Sequence, residues 1–169
     1  SRAADVIEIV REKVRELTDN EQLVEAMTLG AIKYVFAKYK LGGDIAFDVD
    51  ETVTLQGNSG PYLQYAHARA CSVLEKSNVK PQTEISELDE NERMLARKLG
   101  EYSEIIELSA REFTTHHICN YLYELAQEFN RFYEKSRVIG DDREAIRIRL
   151  VQIYRDKLAS GLEILGIVA

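Results

Sequence analysis

One long apolar stripe constrains the fold of this chain more than any other sequence feature. Five large side chains recur at alternating spacings of four and three residues: Ile118, Leu122, Leu125, Phe129 and Phe132. That period places all five on one side of an α-helix, and so regular a stripe is typical of a helix buried in a core. We therefore predict a core helix over residues 115–135.

Weaker stripes of the same period predict further helices on both sides. Asp141 and Glu144 have the spacing of a capping box, which predicts the start of a last helix. Between Gly42 and Gly60 the helical pattern is absent, so we expect an irregular, glycine-containing connection with one brief strand at 45–48. The other expected helices are 3–17, 23–39, 61–77 and a continuous helix from Asp89 through Gly100 to Phe113. Short connections between these segments favour an all-α helical bundle.

The segment VKPQTEISELDE is polar and contains one of the two prolines. Such a composition is typical of a boundary between structural units. We expect a linker at 79–86, which divides the chain into a helical segment, 1–78, and a helical domain, 87–169.

Composition and charge narrow the function classes. The formal net charge of −7 over 169 residues argues against binding nucleic acid by bulk attraction, so DNA is not an expected partner and any RNA surface must be a local patch. No apolar run is long enough for a membrane span, and the charged start is unlike a signal peptide, so we expect a soluble, cytoplasmic protein. Basic side chains gather in the last third of the chain: Arg131, Lys135, Arg137, Arg143, Arg147, Arg149, Arg155 and Lys157.

The segment GNSGPYLQYAHAR combines aromatic and basic side chains. On a helix, Tyr62, Tyr65 and Arg69 fall on one face, together with Ser72 and Lys76. Such a face can stack on the bases of single-stranded RNA and pair with its phosphates. The alternative is ordinary packing against another domain, which spacing alone favours.

A second polar face accompanies the apolar stripe. Asn120, Tyr123, Gln127 and Asn130 are spaced three, four and three residues apart, and Arg131 lies beside them. Amide side chains offer a donor and an acceptor to a base edge, and tyrosine adds a stacking plane. The competing interpretation is that these side chains border the bundle core and bond to neighbouring helix ends.

Catalytic and metal chemistry have little support. The neighbours His116, His117 and Cys119 do not form a set of four zinc ligands, and adjacent histidines on a helix point about 100 degrees apart. The other cysteine, Cys71, is far away in sequence, so neither a disulfide framework nor a metal site is expected. No glycine-rich phosphate loop is present. The residues by themselves predict a binding module without catalytic residues.

The run FDVDETVTLQGNSGPYLQYAHARACSVLEK resembles the segment through which arginyl-tRNA synthetases pass from the catalytic domain towards the anticodon-binding domain. Further on, LARKLGEYSEIIELSAREF, HHICNYLYELAQEFNRFYEKSRVIGD and LASGLEILGI are similar to the helical anticodon-binding domain of that family, often called the DALR domain. The resemblance covers nearly everything from about Ala31. It implies that 87–169 is the DALR domain and that 1–78 leads to it from the catalytic domain.

The resemblance implies a class I aminoacyl-tRNA synthetase, the ligase that joins arginine to its tRNA in protein biosynthesis with ATP and magnesium. The HIGH and KMSKS motifs of the nucleotide-binding catalytic domain are absent, and the chain opens on Ser1 rather than methionine. We therefore expect a segment of a longer enzyme that neither activates arginine nor holds a cofactor alone. Its implied partners are the tRNA for arginine and the catalytic and N-terminal domains of the parent chain.

Carried over position by position, Tyr62, Gln64, Tyr65 and Arg69 match the PYLQYAHAR motif, and Asn120, Tyr121, Tyr123 and Phe129 match the NYLYELAQEFN motif. Thr115 stands where family members often have proline, and we expect it to cap the helix. Two alternatives stay open, a similar domain from a cysteinyl or glycyl synthetase and a helical protein-interaction module. The candidate tRNA-binding residues are Tyr62, Gln64, Tyr65, Arg69, Asn120, Tyr123, Gln127, Asn130 and Arg131.

Overall fold

A computed structural model describes residues 2–40, 42–45 and 47–169. Within those ranges the chain is all-α and contains no strand, which confirms the predicted fold class. Ile45, Phe47 and Asp48 lie outside any helix or strand, so the brief strand is not formed there, while Ala46 lies outside the described residues. The helices are α1 Arg2–Arg15, α2 Glu21–Lys38, α3 Val49–Val53, α4 Gly60–Lys76, α5 Glu90–Gly100, α6 Tyr102–Glu112, α7 His116–Lys135 and α8 Glu144–Ile164.

Helix α7 is the central element of the main core, as its stripe predicted. All five stripe residues are buried, and they share one cluster with apolar side chains of α4, α5 and α8. The ring of Phe129 stacks on that of Tyr154 from α8, with centroids 4.0 Å apart. A polar face on α7 is therefore held rigidly in place by the burial of the opposite side.

Helices α2 and α4 cross at unusually close range. A Cβ atom on Gly60 would lie 2.3 Å from the carbonyl oxygen of Gly30, so only glycine fits at this contact. The hydroxyl of Ser59 accepts the N–H of Tyr62 and caps α4, while Pro61 occupies its first turn. These contacts fix where α4 begins and which direction its side chains take.

The segment from Ser77 to Asp89 contains no helix, yet it packs against α8. The N–H of Gln82 donates to the carbonyl of Ala145 at 3.0 Å. Leu63 before this segment and Leu95 after it belong to the same core cluster. The division of the chain at 79–86 stays a prediction.

A buried ion cluster joins the start of α5 to the start of α8. Glu92 is 0% exposed and accepts hydrogen bonds from Arg143 Nε at 2.7 Å and Arg147 Nε at 2.9 Å. Asp89 accepts from Arg147 Nη2 at 3.1 Å and forms a capping box with Glu92. Burial acts to raise the pKa of Glu92, but the hydrogen bonds from Arg143, the Asp89 N–H and Arg147 outweigh it and lower that pKa to about 2. Two members of the C-terminal basic set are therefore neutralised inside the fold.

Besides the strand at 45–48, the connection expected to be irregular was wrong in part, because it contains the short helix α3, and three further local predictions were wrong. The helix expected through Gly100 is interrupted at Glu101, so α5 and α6 are separate. Asp141 and Glu144 form no capping box, because the Glu144 carboxylate accepts the N–H of Gly140 at 2.6 Å and the hydroxyl of Ser77 at 2.6 Å. Thr115 does not cap α7 with its side chain, since its hydroxyl donates to the carbonyl of Ala37 at 2.8 Å.

Phe113 forms the turn between α6 and α7 in the left-handed conformation, with φ 52° and ψ 46°. A non-glycine residue in this region costs about 1–3 kcal/mol. The turn lets α7 start immediately after α6 and brings the start of α7 against the end of α2, where Thr115 contacts Ala37.

The two cysteines differ in environment, and neither is in a disulfide. Cys119 is fully buried on α7, and burial raises the pKa of its thiol to about 12. Cys71 is half-buried on α4. None of the helices in the described parts of the chain has the length and apolar character needed to cross a membrane.

Candidate nucleic-acid interface

Four of the candidate side chains meet where α4 lies against α7. Tyr62 and Arg69 come from α4, and Tyr123 and Asn130 come from α7. The rings of Tyr62 and Tyr123 pack edge to face, with centroids 5.6 Å apart and planes at 64°. The sequence patterns on the two helices therefore converge on one place in the fold.

Asn130 is the centre of this junction. Its Oδ1 accepts a hydrogen bond from Arg69 Nη1 at 3.2 Å, and its Nδ2 donates to the hydroxyl of Tyr62 at 3.1 Å. Tyr62 is only 8% exposed, and burial raises the pKa of its hydroxyl. Because Asn130 uses both ends of its amide within the fold, it supports the junction and is poorly placed to read a base edge. For Asn130 and Tyr62 the packing interpretation fits the structure better.

Arg69 is held on two sides and open on a third. Its guanidinium carbon lies 5.8 Å from the centre of the Tyr133 ring, a distance that allows cation–π attraction. Within the described ranges, no carboxylate is recorded in ion-pair contact with Arg69. Its charge is therefore available to an anionic ligand.

A shallow pocket of about 160 Å³ opens beside Arg69. Tyr133 is partly exposed there, and Lys76 adds a second positive charge. Tyr133 was absent from the candidates, although it lies one helical turn after Asn130 and continues the same face of α7. The pocket is lined by Arg69, Ser72, Val73, Lys76, Phe129 and Tyr133.

Gln64 and Tyr65 lie on other sides of α4 and do not join this junction. Gln64 Nε2 donates to the carbonyls of Ala26 at 3.2 Å and Val168 at 2.8 Å, so its amide ties the C-terminal tail to α2. Tyr65 is 51% exposed beside a second pocket, of about 620 Å³, whose lining includes Leu23. The single aromatic and basic face expected on α4 is therefore split.

The remaining candidates lie along α7. Asn120 is exposed and Gln127 is half-buried on the face that includes Tyr123. Arg131 is exposed and pairs with Glu128 at 2.8 Å. Asn120 and Gln127 are thus the amides best placed to meet a ligand.

Among the residues described, no group of three or more His, Cys, Asp or Glu side chains could hold an ion. The rings of His116 and His117 lie against each other, with centroids 4.0 Å apart, and His117 Nε2 is 2.6 Å from the Glu112 carboxylate.

The family model described as the DALR anticodon binding domain matches residues 63–169. An arginine–tRNA ligase of Pasteurella multocida is 35% identical over 170 residues, which cover 95% of this chain and 30% of the relative. The arginyl-tRNA synthetase structure from Thermus thermophilus superposes with a TM-score of 0.91 at 31% identity, covering 98% of this chain and 31% of that one. The Plasmodium falciparum arginyl-tRNA synthetase gives 0.85 at 26% identity over 98% of this chain and 32% of that one.

The chain spans about 30% of the length of the curated relatives it matches, and the matched part is C-terminal. The matched family region begins inside α4 and includes the whole of α7, so it contains Arg69, Tyr123 and Asn130 of the junction, while Tyr62 lies just before it. The chain belongs to the DALR anticodon binding domain family.

Proposed function

We propose that this chain binds the anticodon arm of the tRNA for arginine as part of an arginine–tRNA ligase. The observation that carries the proposal is the family match over α4 to α8, made together with arginine–tRNA ligases. The alternative of a cysteinyl or glycyl enzyme has no comparable support, because the relatives quoted above are arginine enzymes over 95–98% of this chain.

The geometry beside Arg69 supports RNA as the ligand. A guanidinium offers several donors to a phosphate, and Tyr133 beside it offers a ring to a base. Lys76 lines the same pocket and adds a second cation. We assign phosphate contact to Arg69 and base contacts to Tyr133, Asn120 and Gln127.

The parent activity is the charging of tRNA with arginine in protein biosynthesis, in the cytoplasm. ATP and magnesium belong to that activity, and we assign no residue of this chain to either. This chain's part is to hold the tRNA.

The pocket beside Tyr65 suits contact with the catalytic and N-terminal domains of the parent chain. It is mostly apolar, and the exposed side chains of Leu17 and Leu23 line it. Exposed apolar surface of this kind marks contact with another protein surface. Replacing Tyr65 with alanine in the full-length ligase is expected to lower its thermal stability while leaving the unfolding of this chain alone unchanged.

The test is a titration of this chain with the tRNA for arginine, and with the same tRNA carrying an altered anticodon, at about 50 and about 200 mM salt. We expect salt-sensitive binding that weakens when the anticodon changes. The variant Arg69→Gln should bind about tenfold more weakly at the lower salt and reduce the salt slope by about one. Arg93→Gln on α5 removes the same charge from an exposed position and serves as the control.

Equal affinity for both tRNAs would contradict anticodon recognition. Salt-insensitive binding, or an Arg69→Gln variant that matches Arg93→Gln, would contradict the role of the Arg69 pocket. Absence of tRNA binding at both salt concentrations would overturn the proposal for this chain and favour a helical protein-interaction module.

A further inference from the structure

The exposed ring of Phe113, at the turn between α6 and α7, has no explanation in the stability of the fold. It is 85% exposed, so the ring gains little from burial. Its backbone has φ 52°, in the region that favours glycine. Glycine would satisfy the turn better and would leave less apolar surface in water.

Phe113 lines a pocket of about 400 Å³. Lys40, His116 and His117 line it, together with Glu112 and Thr114. Thr114 Oγ1 lies 2.5 Å from His116 Nδ1, and Glu112 lies 2.6 Å from His117 Nε2, so both imidazoles are held in position. The pocket thus combines flat rings, hydrogen-bonding groups and a lysine.

Phe113 also lines a second, mostly apolar pocket of about 380 Å³, together with Phe36, Ile106 and Ile118. An exposed ring that lines both a pocket of imidazoles, a lysine and a carboxylate and a largely apolar pocket suits a planar, polar-edged group that inserts beside it. A nucleobase has this chemistry, and aromatic and histidine rings are common stacking platforms for unpaired bases.

We infer that Phe113 stacks on an unpaired base of the bound tRNA, with Lys40, His116 and His117 contacting the edge of that base or the neighbouring phosphate. This subsite rests on the proposed function and is separate from the Arg69 pocket. By the rise of an α-helix, the 17 residues from His116 to Tyr133 span about 25 Å along α7. One RNA molecule would contact both ends of the helix.

The experiment compares Phe113→Gly, Phe113→Leu and Phe113→Tyr in this chain, with a fluorescent transcript of the tRNA for arginine as the probe. Phe113→Gly removes the ring and relieves the left-handed strain, so its denaturation midpoint should equal or exceed that of the wild type. Its tRNA affinity should nevertheless fall about five- to tenfold. Phe113→Leu keeps apolar bulk without a π face and should fall similarly, while Phe113→Tyr should bind like the wild type.

Salt separates this subsite from the Arg69 pocket. The ratio of wild-type to Phe113→Gly affinity should be the same at both salt concentrations, because stacking does not depend on counterion release. If the wild type binds tRNA and Arg69→Gln weakens it, but Phe113→Gly and Phe113→Leu match the wild type, the inference is overturned and the proposed function stands. The inference is also overturned if Phe113→Leu keeps the wild-type tRNA affinity while Phe113→Gly loses it. Apolar bulk rather than stacking would then be required.

Discussion

Arginine is used in opposite ways in two regions of this molecule. In the ion cluster at the starts of α5 and α8, Arg143 and Arg147 are neutralised by the carboxylates of Glu92 and Asp89. At the junction of α4 and α7, Arg69 is held by the neutral amide of Asn130 and by the ring of Tyr133. A charge that is held by neutral groups stays available to a ligand, whereas one held by carboxylates stabilises the fold.

The largest expected effect is on stability, through the ion cluster at the starts of α5 and α8. Glu92→Gln keeps the shape of the side chain but leaves two partly buried guanidinium groups without their carboxylate, which should cost about 3 kcal/mol in the free energy of unfolding. Urea unfolding at neutral pH measures it. Glu90→Gln, an exposed change on the same turn of α5, should cost a few tenths of a kcal/mol through the helix dipole. Equal losses in the two variants would mean that the cluster contributes nothing beyond surface electrostatics.

The stabilisation from Glu92 should also depend on pH. Its pKa is lowered from 4.5 to about 2, so the folded state favours the ionised form. The contribution is therefore fully present above about pH 4.5 and is lost as the pH falls from there towards 2. The difference in unfolding free energy between wild type and Glu92→Gln should be constant from pH 7 to about pH 5 and shrink below. A difference that stays constant down to pH 3 would show that the carboxylate is not preferentially ionised in the fold.

Asn130→Asp would place a carboxylate beside Arg69, as Glu92 is placed beside Arg143 and Arg147 in the ion cluster. The new carboxylate can accept from both Arg69 and the Tyr62 hydroxyl, so the junction should keep its geometry and its stability. The guanidinium would then be neutralised, and tRNA affinity should fall about tenfold, as for Arg69→Gln. Asn91→Asp on α5 makes the same charge change elsewhere and should bind tRNA like the wild type. If Asn130→Asp binds tRNA with wild-type affinity, the RNA does not depend on the charge of Arg69.

The smallest effect is expected for Arg131, an arginine on the surface of α7. Arg131 pairs with Glu128 through a guanidinium that is 58% exposed, so water and salt screen the attraction from its side. Arg131→Gln should change the free energy of unfolding by less than about 0.5 kcal/mol. A loss near that of Glu92→Gln would mean that burial does not decide how much an ion pair contributes here.

The sequence predicted the helices well because their apolar stripes report directly on burial. It predicted caps unevenly, and two identical patterns show why. Asp89–Glu92 and Asp141–Glu144 have the same spacing, yet only the first forms a capping box. Glu144 is taken instead by Ser77, which lies 67 residues earlier. A contact so distant along the chain leaves no trace in the local pattern.

The candidate site shows the same limit. Arg69 and Asn130 were both singled out, but their spacing on separate helices does not show that they bond to each other. Gln64 fits an RNA-reading motif by type, whereas the fold turns its amide to Ala26 and Val168. Tyr133 was not predicted because its partner Arg69 lies on α4, and the sequence does not show that α4 packs beside this part of α7. Tertiary pairing, rather than helix periodicity, decides which polar groups are left for a ligand.

The unequal burial of the two thiols gives the molecule an internal reporter of its own opening. Cys71 is reachable by a thiol reagent in the native state, because it is only half-buried. Cys119 has its sulfur in the core of α7 and a thiol pKa near 12, so it reacts only while that helix is separated from its neighbours. The labelling rate of Cys119, normalised to its rate in unfolded chain, therefore measures the population of opened molecules under native conditions. Bound RNA that holds α7 closed would slow that rate without changing the labelling of Cys71.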